Sequence, residues 1–202
     1  TMLNAVAGVW GVDSGTITIG GNNVTNLPEY KRAQFIGRVF QDPMKGTAPN
    51  MTIEENLAMA YTRSGRHSSM FSRAITKEKV KFFRENLARY NMGIEDRMKT
   101  KIGLLSGGQR QVVTLLMCTL SVPKLLLLDE HTAALDPATA KKVMEITRTI
   151  VEENHITTMM ITHNLQQALD TGNRTIMMDS GEIVYDVAGE EREKLSVQDL
   201  VR

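Results

Sequence analysis

Four consecutive leucines followed by two acids, in the stretch KLLLLDE at 124–130, constrain the fold of this chain more than any other feature. An apolar run that ends in acids is typical of a strand buried on both faces of a parallel sheet. A second continuous run, ITTMMITH at 156–163, follows an amphipathic helical pattern at 137–154. The order strand, helix, strand predicts an α/β fold with a parallel sheet.

Shorter patterns lie on either side of this core. The stretch GTITIGGNNV at 15–24 and the stretch RTIMMDSGEIVYDV at 174–187 alternate apolar and polar residues around glycine-containing turns, so each predicts an antiparallel hairpin. The stretch FIGRVFQD at 35–42 predicts a short buried strand ending at Gln41. We therefore expect a small antiparallel flank at each end of the core.

The pattern between about residues 51 and 104 is helical. Thr52 and Glu55 form a candidate capping box before the first apolar helix, and Thr76 is placed to begin a second helix that is rich in lysine and glutamate. These signals predict a helical subdomain inserted between Gln41 and Ser106.

Composition excludes some classes of function. The net charge is +1, from 24 basic and 23 acidic side chains, so no strong field indicates DNA, RNA or an anionic membrane as the main partner. Cys118, the single cysteine, lies in the apolar stretch VVTLLMCTL, which favours a core position. No apolar stretch reaches the ~18–20 residues of a membrane-spanning helix, so a membrane role would come through a partner.

The stretch LLSGGQRQVVTLLMCTL is a candidate phosphate site. Ser106, Gly107 and Gly108 precede a helix that is apolar nearly all round. Their hydroxyl and open backbone amides at a helix N-terminus can bind a phosphate. Ordinary capping, with Gln109 in the first helical turn, explains the same residues equally well. This stretch alone leaves both possibilities open.

Asp129 and Glu130 close the leucine-rich strand at its carboxyl end, the edge at which α/β sheets bind ligands. Successive strand residues point to opposite faces, so the two acids are expected to have different tasks. Asp129 is a candidate ligand of Mg²⁺, directly or through water, and Glu130 a candidate base for the water that attacks a γ-phosphate.

Two further polar residues follow predicted strands. His163, after ITTMMIT, is either a polar strand cap or a group that bonds a γ-phosphate oxygen and senses its presence. Gln41 is a candidate contact for the metal or the attacking water, and it leads into the helical subdomain.

These residues resemble one family, the nucleotide-binding subunits of ATP-binding cassette (ABC) transporters. The family signature is similar to LSGGQ at 105–109, its Walker B segment to LLLLDE at 125–130 and its D-loop to AALD at 133–136. Its switch histidine and Q-loop glutamine correspond to His163 and Gln41. The resemblance implies ATP and Mg²⁺ as ligands and a P-loop NTPase-like parallel-sheet core.

The resemblance also concerns the first residues. In this family the phosphate-binding loop GxxGxGKST runs into xLxxxxG, and residues 1–8 are similar to the part from the last threonine onward. Thr1 would then be a nucleotide contact. We expect residues 1–202 to form a single ATPase domain without its N-terminal strands and phosphate loop, and therefore to be inactive in isolation.

The family mechanism implies further partners. In a head-to-tail dimer, Ser106, Gly107, Gly108 and Gln109 of one subunit close over the nucleotide held by the other, with Asp136 at the seam. Residues 41–56 are the expected docking place of a transmembrane permease, which places the subunit at the cytoplasmic face of the membrane. An extracytoplasmic substrate-binding protein would be an indirect partner.

Two positions depart from the family pattern: His131 replaces the usual proline, and Ala133 replaces the commoner serine.

The chain most resembles the ATPases of bacterial importers of tryptophan- and tyrosine-type amino acids. A DNA-repair or chromosome-organising ATPase is an alternative, but no heptad run separates Gln41 from Leu105. A second alternative is a non-hydrolysing interaction subunit.

Overall fold

The computed structural model describes residues 2–63 and 75–200. Contacts divide the chain into two compact units, Thr1–Met160 and Ile161–Arg202. In chain order the elements of the first unit are α1 (Met2–Ala7), β1 (Thr18–Ile19), β2 (Asn22–Asn23), α2 (Glu29–Arg32), β3 (Ile36–Val39), α3 (Ile53–Arg63), α4 (Lys77–Ala88), α5 (Gly107–Thr119), β4 (Leu125–Asp129), α6 (Pro137–Glu153) and β5 (Thr158–Ile161), whose last residue begins the second unit. The second unit continues with α7 (Leu165–Asp170), β6 (Arg174–Asp179), β7 (Glu182–Ala188) and α8 (Gly189–Glu193). Short 3₁₀ helices occupy Glu95–Arg97, Ile102–Leu104 and Val197–Leu200.

The central sheet has the strand order β3-β4-β5, and β3 pairs with β4 in parallel. Leu126, Leu127 and Leu128 of β4 are all buried. Burial of consecutive residues, which point to opposite faces, means that both faces of the strand are covered. The α/β fold with a parallel sheet, expected from the leucine run, is confirmed.

The strands end earlier than the sequence pattern indicates. β3 ends at Val39, so the prediction of a strand reaching Gln41 is wrong, and Gln41 lies in the segment beyond it. β4 ends at Asp129, and Glu130 leaves the strand with a φ of 45°. Because this is left-handed backbone, the alternation of strand side chains does not determine where Glu130 points.

Helix α5 is the centre of the core and packs against α3, α6 and β3. Its approach to β3 is close, because a Cβ built on Gly37 would lie 3.0 Å from the carbonyl oxygen of Cys118. Cys118 is buried, as the sequence predicts, and its Sγ donates to the Arg38 carbonyl at 3.1 Å. Glycine at position 37 therefore allows this helix to lie against the sheet.

The described part of the predicted helical subdomain contains α3 and α4. The Thr52 backbone N–H donates to Glu55 Oε2 at 2.7 Å, and the Glu55 N–H donates to Thr52 Oγ1 at 3.3 Å. This confirms the capping box. Thr76 is the N-cap of α4, and its side chain accepts from the Lys79 N–H. Both helices begin where their side-chain acceptors satisfy open N–H groups.

Both predicted hairpins are present. β1 and β2 are joined by Gly20 and Gly21, which have positive φ, and β6 and β7 by Ser180 and Gly181 with φ of 49° and 91°. Two positive φ angles are the requirement of the two-residue turns that match strand twist. The first hairpin belongs to the first unit and the second hairpin to the second.

Candidate functional site

Gln41 and Glu130 meet at the carboxyl ends of neighbouring strands. Because β3 and β4 are parallel, with Val39 opposite Leu128, the residues that follow each strand emerge at the same edge of the sheet. The Gln41 Nε2 donates to Glu130 Oε2 at 3.4 Å. The structure thus brings together two side chains that are far apart in the sequence.

The backbone of Glu130 is in a strained conformation that non-glycine residues rarely adopt. Its φ of 45° lies in the left-handed region, and its carbonyl accepts from the Ala133 N–H at 2.9 Å, which closes a turn after β4. Strained backbone of this kind clusters at functional sites, where the surrounding structure enforces it. The turn directs the Glu130 side chain toward Gln41.

Asp129 lies beside an arginine that the sequence analysis did not select. Arg38 Nη2 is 3.4 Å from Asp129 Oδ2 and donates to Asn4 Oδ1 at 2.7 Å. In the sheet register Arg38 is opposite Leu127, so its side chain and that of Asp129, two residues farther on, lie on one face. A charged residue within the otherwise apolar strand FIGRVF was the available signal.

The residues fit a magnesium ion that binds together with phosphates. In the described ranges 2–63 and 75–200, no cluster of three or more His, Cys, Asp or Glu side chains is placed to hold a metal. Mg²⁺ in nucleotide sites is held by one or two carboxylates plus substrate phosphates. The side chain of Asp129 is 36% exposed at the end of its strand and meets this requirement.

The signature residues begin helix α5. Ser106 is its N-cap, and Ser106 Oγ accepts from the Gln109 N–H at 3.3 Å while Gln109 Oε1 accepts from the Ser106 N–H at 3.3 Å. The ordinary capping considered for this stretch is therefore present. Gln109 Nε2 also donates to the Met92 carbonyl at 3.0 Å, which ties the cap to the segment after α4.

The start of α5 lies against the start of α6. Asp136 is the N-cap of α6, and its Oδ1 accepts from the Thr139 N–H at 3.0 Å. The hydrogen bonds from Thr139 lower the pKa of Asp136, since they stabilise the carboxylate. A Cβ on Gly107 would lie 3.0 Å from Leu135 Cδ2, and one on Gly108 only 2.2 Å from Thr139 Cγ2. The contact between the two helix starts requires glycine.

We expect Gly108→Ala to destabilise the protein. Alanine is normally the better helix residue by up to about 1 kcal/mol, but its methyl group would overlap the short, stiff side chain of Thr139. Overpacking of this kind costs about 1–3 kcal/mol, which outweighs the helix propensity. Chemical denaturation of the full-length protein measures the difference.

Two further variants isolate the steric cause. Gly107→Ala should cost less than Gly108→Ala, because its neighbour is the flexible end of Leu135. Adding Thr139→Ser removes the clashing methyl and should restore most of the stability lost in Gly108→Ala. Equal effects at both glycines, or no rescue by serine, would contradict this explanation.

His131 is buried and contacts the middle of helix α6. Its Nε2 lies 3.1 Å from Thr147 Oγ1, and that hydroxyl donates to the Val143 carbonyl at 2.8 Å. Because the hydroxyl proton is used there, we assign the ring proton to Nε2, which donates to Thr147. Burial lowers the pKa of His131 to about 4. The imidazole is therefore neutral near pH 7.

Two candidates remain, His163 and Thr1. His163 belongs to the second unit, where it is exposed in the segment between β5 and α7. Its neighbour Thr162 donates from Oγ1 to Gln167 Oε1 at 2.6 Å, and Asn164 caps α7. Thr1 lies outside the described residues, so its expected contact with nucleotide stays a prediction.

Comparisons with known proteins agree with this architecture. A family model described as ABC transporter matches residues 1–133. A tyrosine transport ATP-binding protein of Clostridioides difficile is 44% identical over 201 residues, which cover 100% of this chain and 79% of the relative. A thiamine import ATP-binding protein of Salmonella paratyphi A is 32% identical over 98% of this chain and 77% of its own length. A putative ABC transporter ATP-binding protein of Bacillus anthracis is 36% identical over 82% of this chain and 28% of the relative.

This chain belongs to the ABC transporter family. Within the family it is an ATP-binding subunit, the class to which the relatives of highest coverage belong by name. Such subunits work with transmembrane permeases. In the part of the chain that the structure describes, no helix has both the length and the apolar composition needed to cross a membrane.

Proposed function

We propose that the full-length protein hydrolyses ATP to drive a bacterial amino-acid importer, with Glu130 as the general base. The contact between Gln41 and Glu130, at the carboxyl ends of adjacent parallel strands, is the observation that supports it most. This edge is where α/β sheets bind ligands. A phosphate-binding loop that precedes α1, with Thr1 as its last hydroxyl, is part of the proposal.

Glu130 would take the proton of the attacking water. The bond between the water oxygen and the γ-phosphorus forms, the bond to the β-phosphate oxygen breaks, and ADP and inorganic phosphate leave. Gln41 donates to Glu130 and so orients its carboxylate. Asp129 and Gln41 would hold Mg²⁺, which when bound neutralises phosphate charge. His163 would hydrogen-bond the γ-phosphate.

The signature would act on the nucleotide of a second subunit. Ser106 Oγ accepts a hydrogen bond in the capping box, so its own proton remains available to donate to a phosphate oxygen. The N–H groups of Gly107 and Gly108 lie in the first turn of α5, where a helix has no internal acceptors. Capping and phosphate binding are therefore compatible. The side chain of Gln109 holds this turn in place through its hydrogen bonds to Ser106 and Met92. Asp136 would lie at the interface between the two subunits.

The segment 41–56 is the proposed docking place of the permease. Its shape is fixed from within by Asn56, which is fully buried. The Asn56 side chain accepts from the Ala48 N–H at 2.8 Å and donates to the carbonyls of Ala48 and Thr52 at 3.1 and 2.9 Å. A segment held in this way can transmit a movement of Gln41 to a partner as a unit. Residues 51–104 would form the helical subdomain, and residues 1–202 one ATPase domain.

The likeness to a tyrosine transport ATP-binding protein supports an amino acid as the cargo. The partners would be a second copy of the subunit, a permease and, indirectly, an extracytoplasmic substrate-binding protein. Nucleic acid is not an expected partner, because the net charge is +1. The permease would hold the subunit at the cytoplasmic face of the membrane.

Uptake measurements in cells test the proposed cargo. Cells with the wild-type gene and cells in which Glu130→Gln replaces it are supplied separately with radiolabelled tyrosine, tryptophan and thiamine. We expect uptake of an aromatic amino acid to fall in the variant while thiamine uptake is unchanged. A selective loss of thiamine uptake, or no loss of any uptake, would contradict the proposal.

A further inference from the structure

The guanidinium of Arg38 lies between Asp129 and helix α1. One nitrogen, Nη2, is 3.4 Å from Asp129 Oδ2 and donates to Asn4 Oδ1 at 2.7 Å. The guanidinium carbon is 4.6 Å from the centroid of the Phe40 ring. The Arg38 side chain is 14% exposed. Its position is therefore fixed by Asp129 of β4, the Phe40 ring and Asn4 of α1 together.

The positive charge of Arg38 is incompletely balanced. Its short hydrogen bond goes to the neutral amide of Asn4, while the contact with the Asp129 carboxylate is longer. Its Nε is buried and has no hydrogen-bond partner. Strong arginine–carboxylate pairs use two short parallel bonds, and this pair has one long contact. A charge in such surroundings acts on neighbouring ions more strongly than one in water.

We propose that Arg38 is a positioning residue that holds Asp129 and weakens its binding of a lone divalent cation. A cation at this carboxylate is repelled by the adjacent guanidinium, whereas nucleotide phosphates add enough negative charge to overcome that repulsion. Metal binding at Asp129 then depends on a bound nucleotide. This inference rests on the role of Asp129 proposed above.

Manganese binding to the nucleotide-free, full-length protein tests the inference without measuring activity. Mn²⁺ shares the oxygen ligands of Mg²⁺, and its free concentration is measured by electron paramagnetic resonance. Arg38→Met should tighten the Kd for Mn²⁺ by about 3- to 10-fold, the size expected for removing one nearby charge in screened, partly aqueous surroundings. Arg38→Lys, which retains the charge, should stay within about twofold of wild type.

Asp129→Asn separates this inference from the proposed function. If asparagine does not weaken Mn²⁺ binding when ADP is bound, the proposed role of Asp129 fails. If asparagine weakens that binding but Arg38→Met does not strengthen Mn²⁺ binding without nucleotide, only the inference about Arg38 fails. In the double variant, Arg38→Met should have no further effect, because Arg38 acts through Asp129.

A matched control removes a different ion pair. Arg89 pairs with Glu153, the last residue of α6, whereas Asp129 is the last residue of β4. Arg89→Met should leave the Kd for Mn²⁺ unchanged. Arg38→Gln, with its fold checked by circular dichroism, replaces Arg38→Met if the latter does not fold. An unchanged Kd in the folded neutral variant, or equal tightening in Arg38→Lys, overturns the inference.

Discussion

Replacing Glu130 by glutamine should lower the steady-state rate of phosphate release by about 100-fold or more, since general base catalysis contributes factors of this size. Glutamine has the shape of glutamate but cannot accept a proton at neutral pH. ATP binding should persist, because the substitution removes no group proposed to hold the phosphates. Phosphate release and equilibrium binding of a fluorescent ATP analogue, both on the full-length protein, measure the two effects.

Glu153→Gln is the matched control for this variant. Glu153 is the last residue of helix α6, and it forms an exposed ion pair with Arg89. Loss of an exposed ion pair has little effect on stability, so activity should stay within about twofold of wild type. If Glu130→Gln retains full activity, Glu130 is not the base.

The second large effect is on stability in acid and concerns His131. Its pKa is about 4 in the folded protein, compared with about 6.5 in an unfolded chain. Between these values the unfolded state binds more protons, so stability is complete above about pH 6.5 and falls as the pH drops toward 4. The loss amounts to about 3 kcal/mol.

Denaturation of wild type and His131→Gln at several pH values measures this effect. Glutamine can still donate to Thr147 but does not titrate, so the stability advantage of wild type should shrink by about 3 kcal/mol between pH 7 and 4. Carboxylates destabilise both proteins in acid and cancel in the difference. His155→Asn, at an exposed position with a φ of 50°, should retain the wild-type pH dependence. Parallel curves for wild type and His131→Gln would contradict the assignment.

The sequence predicts much of the core because burial imposes clear patterns. The leucine run at 125–128 indicates a strand covered on both faces, and the amphipathic repeat at 137–154 indicates the helix that follows it. The meeting of Gln41 and Glu130 follows from the same logic, because parallel strands end at one edge. Local patterns and topology indicate that both residues lie at this edge, but the sequence analysis did not predict the hydrogen bond between them.

Other features depend on tertiary contacts that no local pattern records. The left-handed backbone of Glu130 is set by the turn after β4 and not by its residue type. The closeness of Arg38 to Asp129 requires the register of β3 and β4, which periodicity does not determine. The burial of His131 depends on the packing of α6 over that turn. The capping box at Ser106 is present, and binding of a phosphate by the same residues stays a prediction, because one sequence pattern is compatible with both.

The most direct test of the central claim is phosphate release from ATP and Mg²⁺ by the purified full-length protein, with Glu130→Gln measured in parallel. We predict steady release over many turnovers by wild type and near-background release by the variant, while both bind the nucleotide. Binding without hydrolysis by wild type would contradict the claim and would instead support a non-hydrolysing interaction subunit.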